Sequence, residues 1–445
     1  MKQESRKYAE EAYEIVRHAS EEIGSRLPGS DGEKKYAAYM GEKLREIGIK
    51  PVREEFEVSP RSSIGGLSYI GWIGLIASAL IYLALAIYPI WFGMALGLLA
   101  CWVWVIFGVF FYKTWFDMFF KQEISQNVYG ELTPPDGKYD YTIILSGHTD
   151  TSWNWRHSAH AAWHKDKPIY GIISTYGKVG FAAVCFVIVT AVSVFMAVAY
   201  SARYFGAMWA LEFFASRGYA IFNFILYFLP IVTGIGSCFL IMWGDPNPRN
   251  ASRGAMDNAT GCALSYEVIK YFKENPDKMP KNCRIIDLNC GSEEAGLRGS
   301  MAFARQHKGE PLLENCWNLN VDSVADKDYF EVVIQDDWQF CRFDTDLERM
   351  FKETFQELGI ESKTNGCIHN PVGGCDSTPM TRAGVKSVTF AAQNPMLTYY
   401  YHTWHDKADR FEMETVGDGF DVLLRVIEKI DQFQQANGYN GPQKK

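Results

Sequence analysis

The chain has 445 residues, of which 48% are hydrophobic and 15% aromatic, enough to bury a large core and too apolar for a disordered or collagen-like protein. Its 44 basic and 52 acidic side chains give a formal charge of -8, which supplies no general attraction for nucleic acid. The ten cysteines follow no CxxC spacing and read as free thiols, in keeping with a reducing compartment.

In chain order, MKQESRKYAEEAYEIVRHASEEIG is charged and helix-periodic, without the apolar stretch of a secretory signal, so no cleaved targeting segment is expected. Ser62 to Tyr112 then contains no Asp, Glu, Lys or Arg. A bilayer-spanning helix takes about 20 apolar residues. This run therefore predicts two spans, a hairpin over 62–112 turning at Tyr88-Pro89. Uncharged runs at Val179–Ala202 and Gly218–Gly244 predict a second hairpin over 179–244, joined by the aromatic loop SARYFGAMWALEFFASRG at the membrane interface. Four crossings return residues 1–61, 113–178 and 245–445 to one side, where they can form one discontinuous domain. That side holds Arg53, Arg61, Lys113, Lys121, Lys165, Lys167, Lys178, Arg249 and Arg253 near the spans, against Arg203 and Arg217 opposite. The positive-inside rule then predicts a multi-pass integral membrane protein whose polar domain faces the cytoplasm.

The polar segments alternate strands and helices. TIILSG runs into His148, RIIDLNC stops short of Glu293, and WNLNV ends at Asp322. Helical patterns follow Asn258 and Gly296, and two more recur in DTDLERMFKETFQELGI and FDVLLRVIEKIDQF. The expected class is α/β: a largely parallel mixed sheet flanked by helices, with four inserted transmembrane helices. In such sheets ligands bind beyond the carboxyl ends of the strands.

Those ends carry the chemistry. GHTDT places His148 two residues before Asp150, and GAMDNATG places Asp257 at the start of a helix; each is weak alone. GSEEAGLRGS is sharper, because the adjacent carboxylates Glu293 and Glu294 follow a buried strand, where like charges are costly without a cation. One can hold a metal while its neighbour holds a water. Asp322 in NVDSV and His402 in YYYHTWHD complete an ordered set of two histidines with carboxylate oxygens, a donor set suited to zinc. Manganese or cobalt also fits these donors.

With that order of motifs the chain resembles the co-catalytic zinc aminopeptidases of metallopeptidase family twenty-eight, clan MH, over nearly all of its length outside the hairpins. Relatives of these enzymes include glutamate carboxypeptidases and glutaminyl cyclases. The resemblance implies two zinc ions bridged by Asp257, with His148 and Asp322 on one and Glu294 and His402 on the other. It further implies Glu293 as general base, Asp150 orienting the His148 ring, and supporting roles for Asp376 in GGCDSTPM and Asp406 in HTWHD. His402 rather than His405 holds the matching position. The implied reaction is hydrolysis of a peptide or amide bond by a metal-activated water, an exopeptidase of aminopeptidase type.

Two departures stand out. The second hairpin separates His148 from Asp257, where relatives have a short loop. Pro371-Val372-Gly373-Gly374-Cys375 lacks the tyrosine that some relatives place before the SD-type motif to stabilise an oxyanion. Tyr399, Tyr400 and Tyr401 are alternatives for that role, against simple packing. His157, His160 and His164 share helical spacing but have no acid or cysteine set for a third metal, so a solvated or pocket-lining role is expected. Two other functions fit the same scaffold, an N-acyl amino acid amidohydrolase or glutaminyl cyclase and a catalytically inactive membrane scaffold. The hairpins are expected either to anchor the domain or to bring the metal site to the bilayer for hydrophobic substrates.

Overall fold

The computed structural model describes residues 3–160, 167–243, 251–394 and 399–437. His164, Lys165 and Arg249, and the predicted boundary at 244–245, lie outside the described residues. In chain order the elements are α1 (Gln3–Arg17), α2 (Asp31–Glu46), β1 (Val52–Val58), α3 (Leu67–Ala86), α4 (Ile90–Trp104), β2 (Glu123–Leu132) and β3 (Tyr141–His148). There follow α5 (Arg156–His160), α6 (Pro168–Ile172), α7 (Lys178–Tyr204), α8 (Met208–Ala215), α9 (Arg217–Ile241), α10 (Thr260–Glu274), β4 (Cys283–Cys290), α11 (Arg298–Gln306) and β5 (Cys316–Val324). The last are β6 (Phe330–Asp336), β7 (Cys341–Arg342), α12 (Thr345–Leu358), β8 (Cys367–Asn370), α13 (Ser377–Arg382), β9 (Lys386–Ala392) and α14 (Met413–Ala436).

The strands form one mixed sheet in the order β1-β2-β4-β3-β5-β9-β6-β7, with β8 on β6. Its centre is parallel: β4, β3, β5 and β9 run together. β3 and β4 are buried along their whole length; β3 carries the apolar stretch Ile143–Leu145, whereas β4 also buries Arg284, Asp287 and Asn289, with Arg284 donating to Thr142 and Asn289 to Asp287. One face packs on α1, α2, α10, α12 and α14 through Tyr36, Met40, Val268, Phe351 and Leu423. The other packs on α11 and α13 through Ile144, Leu288, Phe303 and Met380. Local signals agree with these elements. Ser30 caps α2 by accepting the Glu33 amide at 3.3 Å, and Asp344 caps α12, which stops at Gly359 with φ 67°.

Four helices are long and apolar enough to cross a membrane: Ile64–Ala86, Ile90–Phe110, Ile169–Tyr204 and Arg217–Ile241. The first two interrupt the β1–β2 connection, whose strands still pair with Val52 opposite Tyr129. The other two lie between β3 and α10. The third helix begins at Ile169, ten residues before the expected start at 179, because Lys178 is a single charge that helical backbone carries without a break. The aromatic loop contains the short helix α8.

The four helices pack around Ile81, Trp91, Leu98, Phe186, Met196 and Leu226. Small residues let them approach closely: a Cβ on Gly71 would lie 2.5 Å from the Ile241 nitrogen, and one on Gly236 2.5 Å from Cys185 Cβ. Hydroxyls join neighbouring helices, Ser78 Oγ donating to Thr233 Oγ1 at 2.9 Å and Trp102 Nε1 to Thr190 Oγ1 at 3.1 Å. Leu96, Ile221 and Phe224 point outward, as lipid-facing side chains do.

Candidate metal centre

Parallel pairing of β4, β3 and β5 brings His148, the Glu293–Glu294 turn and Asp322 to adjacent strand ends. Asp257 joins them from a turn before α10, where its φ of -114° and ψ of 90° leave helical conformation. Asn258 ties that turn to β5, donating to the Val321 carbonyl at 2.8 Å and accepting the Gly261 amide at 2.9 Å. His402 arrives from the loop after β9. Ser292, Ser323 and His402 all have φ near +55°, so left-handed backbone occurs beside or at three of the clustered residues.

Asp257 presents one oxygen to each half of the cluster. His148 Nε2 lies 3.1 Å from its Oδ1 and 3.9 Å from Asp322 Oδ1. His402 Nε2 lies 3.0 Å from its Oδ2 and 3.0 Å from Glu294 Oε1. The result is two three-residue groups that share Asp257, namely His148, Asp257 and Asp322, and Asp257, Glu294 and His402. His405 is in neither.

The donors fit divalent zinc. All are nitrogen or carboxylate oxygen, and the buried oxygens Asp257 Oδ2 and Glu294 Oε1 both face the single His402 Nε2, which cannot donate fully to both. Among the described residues no Lys or Arg forms an ion pair with Asp257, Glu293, Glu294 or Asp322. Burial pushes Glu293 well above the usual carboxylate range, and Asp322 up to about 7. Burial also opposes ionisation of Asp257, but the bonds to His148 and His402 outweigh it and hold that carboxyl low.

Surrounding groups hold the cluster from behind. Asp150 accepts the Glu293 and Glu294 amides, both at 2.9 Å, and stands 3.4 Å from His148 Nδ1. It therefore braces the carboxylate turn at least as much as it orients the imidazole. Asp406 accepts the Met256 and Asp257 amides at 2.8 and 3.0 Å, positioning Asp257. Asp376, buried at the start of α13, accepts Ser300 Oγ and lies close enough to Glu293 to raise that carboxyl further.

Several residues that motif reading did not single out also build the site. Glu33, three residues into the α2 capping sequence, accepts the Ser292 amide at 2.6 Å and Ser292 Oγ at 2.8 Å with one oxygen. Its other oxygen takes the Gly29 amide at 2.8 Å and Ser125 Oγ at 2.9 Å. The fully buried Arg26 spans the carbonyls of Thr149 and Gly254, both at 2.8 Å, one on each side of the cluster. Tyr112, at the exit of the first hairpin, is buried over Gly296, and its hydroxyl is 3.3 Å from where a Gly373 Cβ would sit. After burial itself, Glu293 is the largest influence raising its phenol.

Of the three neighbouring tyrosines, Tyr401 stacks on His402 with ring centres 3.9 Å apart. Tyr400 donates to Asp326 at 3.0 Å, and the Tyr399 hydroxyl accepts from Arg410, so these two serve packing. Trp155 stands edge-on to His402 at 4.3 Å and tilts against Trp243 at 4.5 Å, joining the end of the second hairpin to the site. His157 Nε2 approaches the Phe239 carbonyl at 2.7 Å, so this histidine ties α9 to the polar domain.

The family model for peptidase family M28 matches residues 241–427. Endoplasmic reticulum metallopeptidase 1 of Mus musculus is 26% identical over 185 residues, 40% of this chain and 19% of that protein. The protein of that name from Homo sapiens is 25% identical over 197 residues, 42% of this chain and 20% of the relative. The matched segment thus spans about a fifth of the length of these relatives. Among solved structures, BSAP, a zinc aminopeptidase from Bacillus subtilis, superposes with a TM-score of 0.52 at 14% identity, covering 95% of this chain and 94% of its own. A Zn-dependent exopeptidase from Parabacteroides distasonis gives 0.52 at 13% identity, covering 94% and 97%. A glutaminyl cyclase from an Acidobacteriales bacterium gives 0.51 at 14%, covering 96% and 95%. These likenesses concern the fold. The chain is thus similar to peptidase family M28 over residues 241–427 and shares the fold of these solved structures, with four apolar helices inserted in two hairpins.

Proposed function

We propose that this protein is a membrane-embedded, zinc-dependent exopeptidase of aminopeptidase type that hydrolyses hydrophobic peptides or amides. The observation that carries the reading is Asp257, whose two oxygens face two separate ligand groups, with Glu293 close enough to His148, Glu294 and Asp322 to feel their charge. His148, Asp257 and Asp322 would hold one zinc, and Asp257, Glu294 and His402 the other. Zinc bound there supplies Lewis acidity and lowers the pKa of a coordinated water. Glu293 takes the proton of the attacking water and returns it to the leaving amine, for which a carboxyl raised by burial is suited. Tyr112 offers a hydroxyl on the Glu293 side. Trp155, Trp243 and Tyr401 form an aromatic wall beside His402, which supports an apolar side chain or acyl group next to the scissile bond.

The three polar segments act as one catalytic unit in this reading, since strands from all of them share the sheet. Arg61, Lys113, Lys121, Lys178 and Arg253 on that side, against Arg203 and Arg217 across the bundle, support a cytoplasmic orientation.

Elemental analysis of detergent-purified wild type and Glu293→Gln, with amino acid release from a hydrophobic peptide library, tests the proposal. Near two zinc per chain in both proteins, with hydrolysis only in the wild type, is expected. Zinc without peptide cleavage in the wild type transfers the reading to an acyl amidohydrolase or cyclase. Absence of bound metal would leave a membrane scaffold.

A further inference from the structure

A cavity of about 200 Å³ opens where the first hairpin leaves the bundle, between the segment Phe111–Trp115, α11 and α13. Three cations line it, Lys113, Arg305 and Arg382, together with Trp115 and Gln339, and among the described residues no acidic one does. Lys113 and Arg305 are exposed and have no ion-pair or side-chain hydrogen-bond partner among the described residues; Arg382 is held in place by donating to the Gln339 carbonyl at 2.8 Å. The nearby carboxylate Asp117 is engaged by Arg298 at 3.1 Å and does not offset this charge. Three gathered cations without a counter-ion repel one another unless an anion joins them.

The position says which anion. The span Ile90–Phe110 ends immediately before the cavity, so Lys113 and Trp115 lie at headgroup level. Around the opening, Trp115 is 60% exposed, Met118 76%, Phe119 73% and Phe340 82%, while Trp338 packs on Phe110 with ring centres 4.2 Å apart. Such an apolar rim suits acyl chains, and a basic cavity behind it suits phosphate oxygens.

We propose that the cavity between Lys113, Arg305 and Arg382 binds the phosphate headgroup of an anionic membrane phospholipid, whose acyl chains lie along the rim of Trp115, Met118 and Phe340. No metal-cluster residue lines the cavity, which shares Tyr112 with the catalytic site but whose lipid binding does not depend on the catalytic reading. A bound lipid there bridges the hairpin exit to the last turn of α11, the helix that follows the Glu293–Glu294 turn.

The test is a titration of the delipidated, detergent-purified full chain with phosphatidylglycerol, with phosphatidylcholine of the same acyl chains, and with glycerol 3-phosphate, read by native mass spectrometry. Each cation near an anionic headgroup contributes about fivefold, the equivalent of about 1 kcal/mol, so three give a preference for phosphatidylglycerol on the order of a hundredfold. The double variant Lys113→Gln/Arg305→Gln, at two exposed positions, is expected to reduce that preference about 25-fold. Lys121→Gln, an interfacial cation outside the cavity and paired with Glu123, is expected to leave it unchanged. Equal binding of the two lipids, an unaltered preference in the double variant, or an equal loss in Lys121→Gln would overturn the site. Displacement of the lipid by equimolar glycerol 3-phosphate would assign the cavity to a soluble phosphate and refute the lipid.

Discussion

Replacing Arg26 with Met probes how the cluster is held together without touching any group that faces it. The guanidinium is fully buried and donates to five carbonyls: Thr149, Arg253 and Gly254 at 2.8 Å, Ala19 at 3.1 Å and Gly24 at 3.3 Å. Two of these have another donor, the Gly24 amide for Ala19 and the Ala259 amide for Gly254. The carbonyls of Thr149, Arg253 and Gly24 therefore lose the guanidinium donor when the side chain becomes apolar. An unsatisfied buried carbonyl costs about 1–3 kcal/mol. Water entry recovers part of that, and Met fills most of the volume over the Tyr36 ring, so a net loss of about 3–5 kcal/mol is expected. Arg26→Lys keeps the charge but offers three donors from one point, and should fall between wild type and Met. The same bonds tie the Thr149–Asp150 strand end to the Gly254–Asp257 turn, so zinc retention should fall along with stability. Urea unfolding in detergent, with and without zinc, and competition with a chelator measure both quantities. A stability change in Arg26→Met below about 1 kcal/mol, or unaltered zinc retention, would refute the account.

Three other perturbations separate chemistry, packing and charge. Tyr112→Phe preserves the ring over Gly296 and removes the hydroxyl; kcat on a peptide substrate should drop about 10- to 100-fold with zinc content unchanged, and an unaltered kcat removes Tyr112 from the reaction. Gly236→Leu drives a side chain into Cys185, where even a Cβ has 2.5 Å, so thermal unfolding of the membrane bundle should come several degrees earlier, while Gly93→Leu, which meets nothing within 4 Å, should be neutral. Glu267 is pushed by burial up to about 8 in the folded chain. A carboxyl raised on folding costs stability as pH rises from its unfolded value of about 4.5 through 8, so Glu267→Gln should match wild type at pH 4 and exceed it by a few kcal/mol at pH 9 in urea unfolding. Equal stabilities at pH 9 would show that Lys270, 3.6 Å away, already compensates the charge.

Much of the site was legible because its chemistry sits at strand ends. His148, Glu293, Glu294 and Asp322 each lie at or just past the end of a short strand-like segment rich in Ile, Leu and Val, a signature local to each segment. The pairing of Asp257 with both halves was implied by family resemblance alone, since nothing in GAMDNATG says which way each carboxylate oxygen points. Arg26 and Glu33 were invisible for a different reason. Arg26 has backbone carbonyls for partners, and Glu33 bonds two backbone amides and two serine hydroxyls, so neither leaves a complementary charge elsewhere in the sequence to be found.

The apolar runs likewise determined that four helices can cross a membrane, through length and lack of charge alone. They did not determine where the hairpins meet the polar domain. Only the tertiary structure places Tyr112 over the carboxylate turn, Trp243 against Trp155, and Lys113 beside Arg305 and Arg382. Composition and periodicity act within a segment and so are written locally in the chain. Contacts between a hairpin exit and a strand end depend on the sheet order and on chain geometry over hundreds of residues, and no local pattern records them.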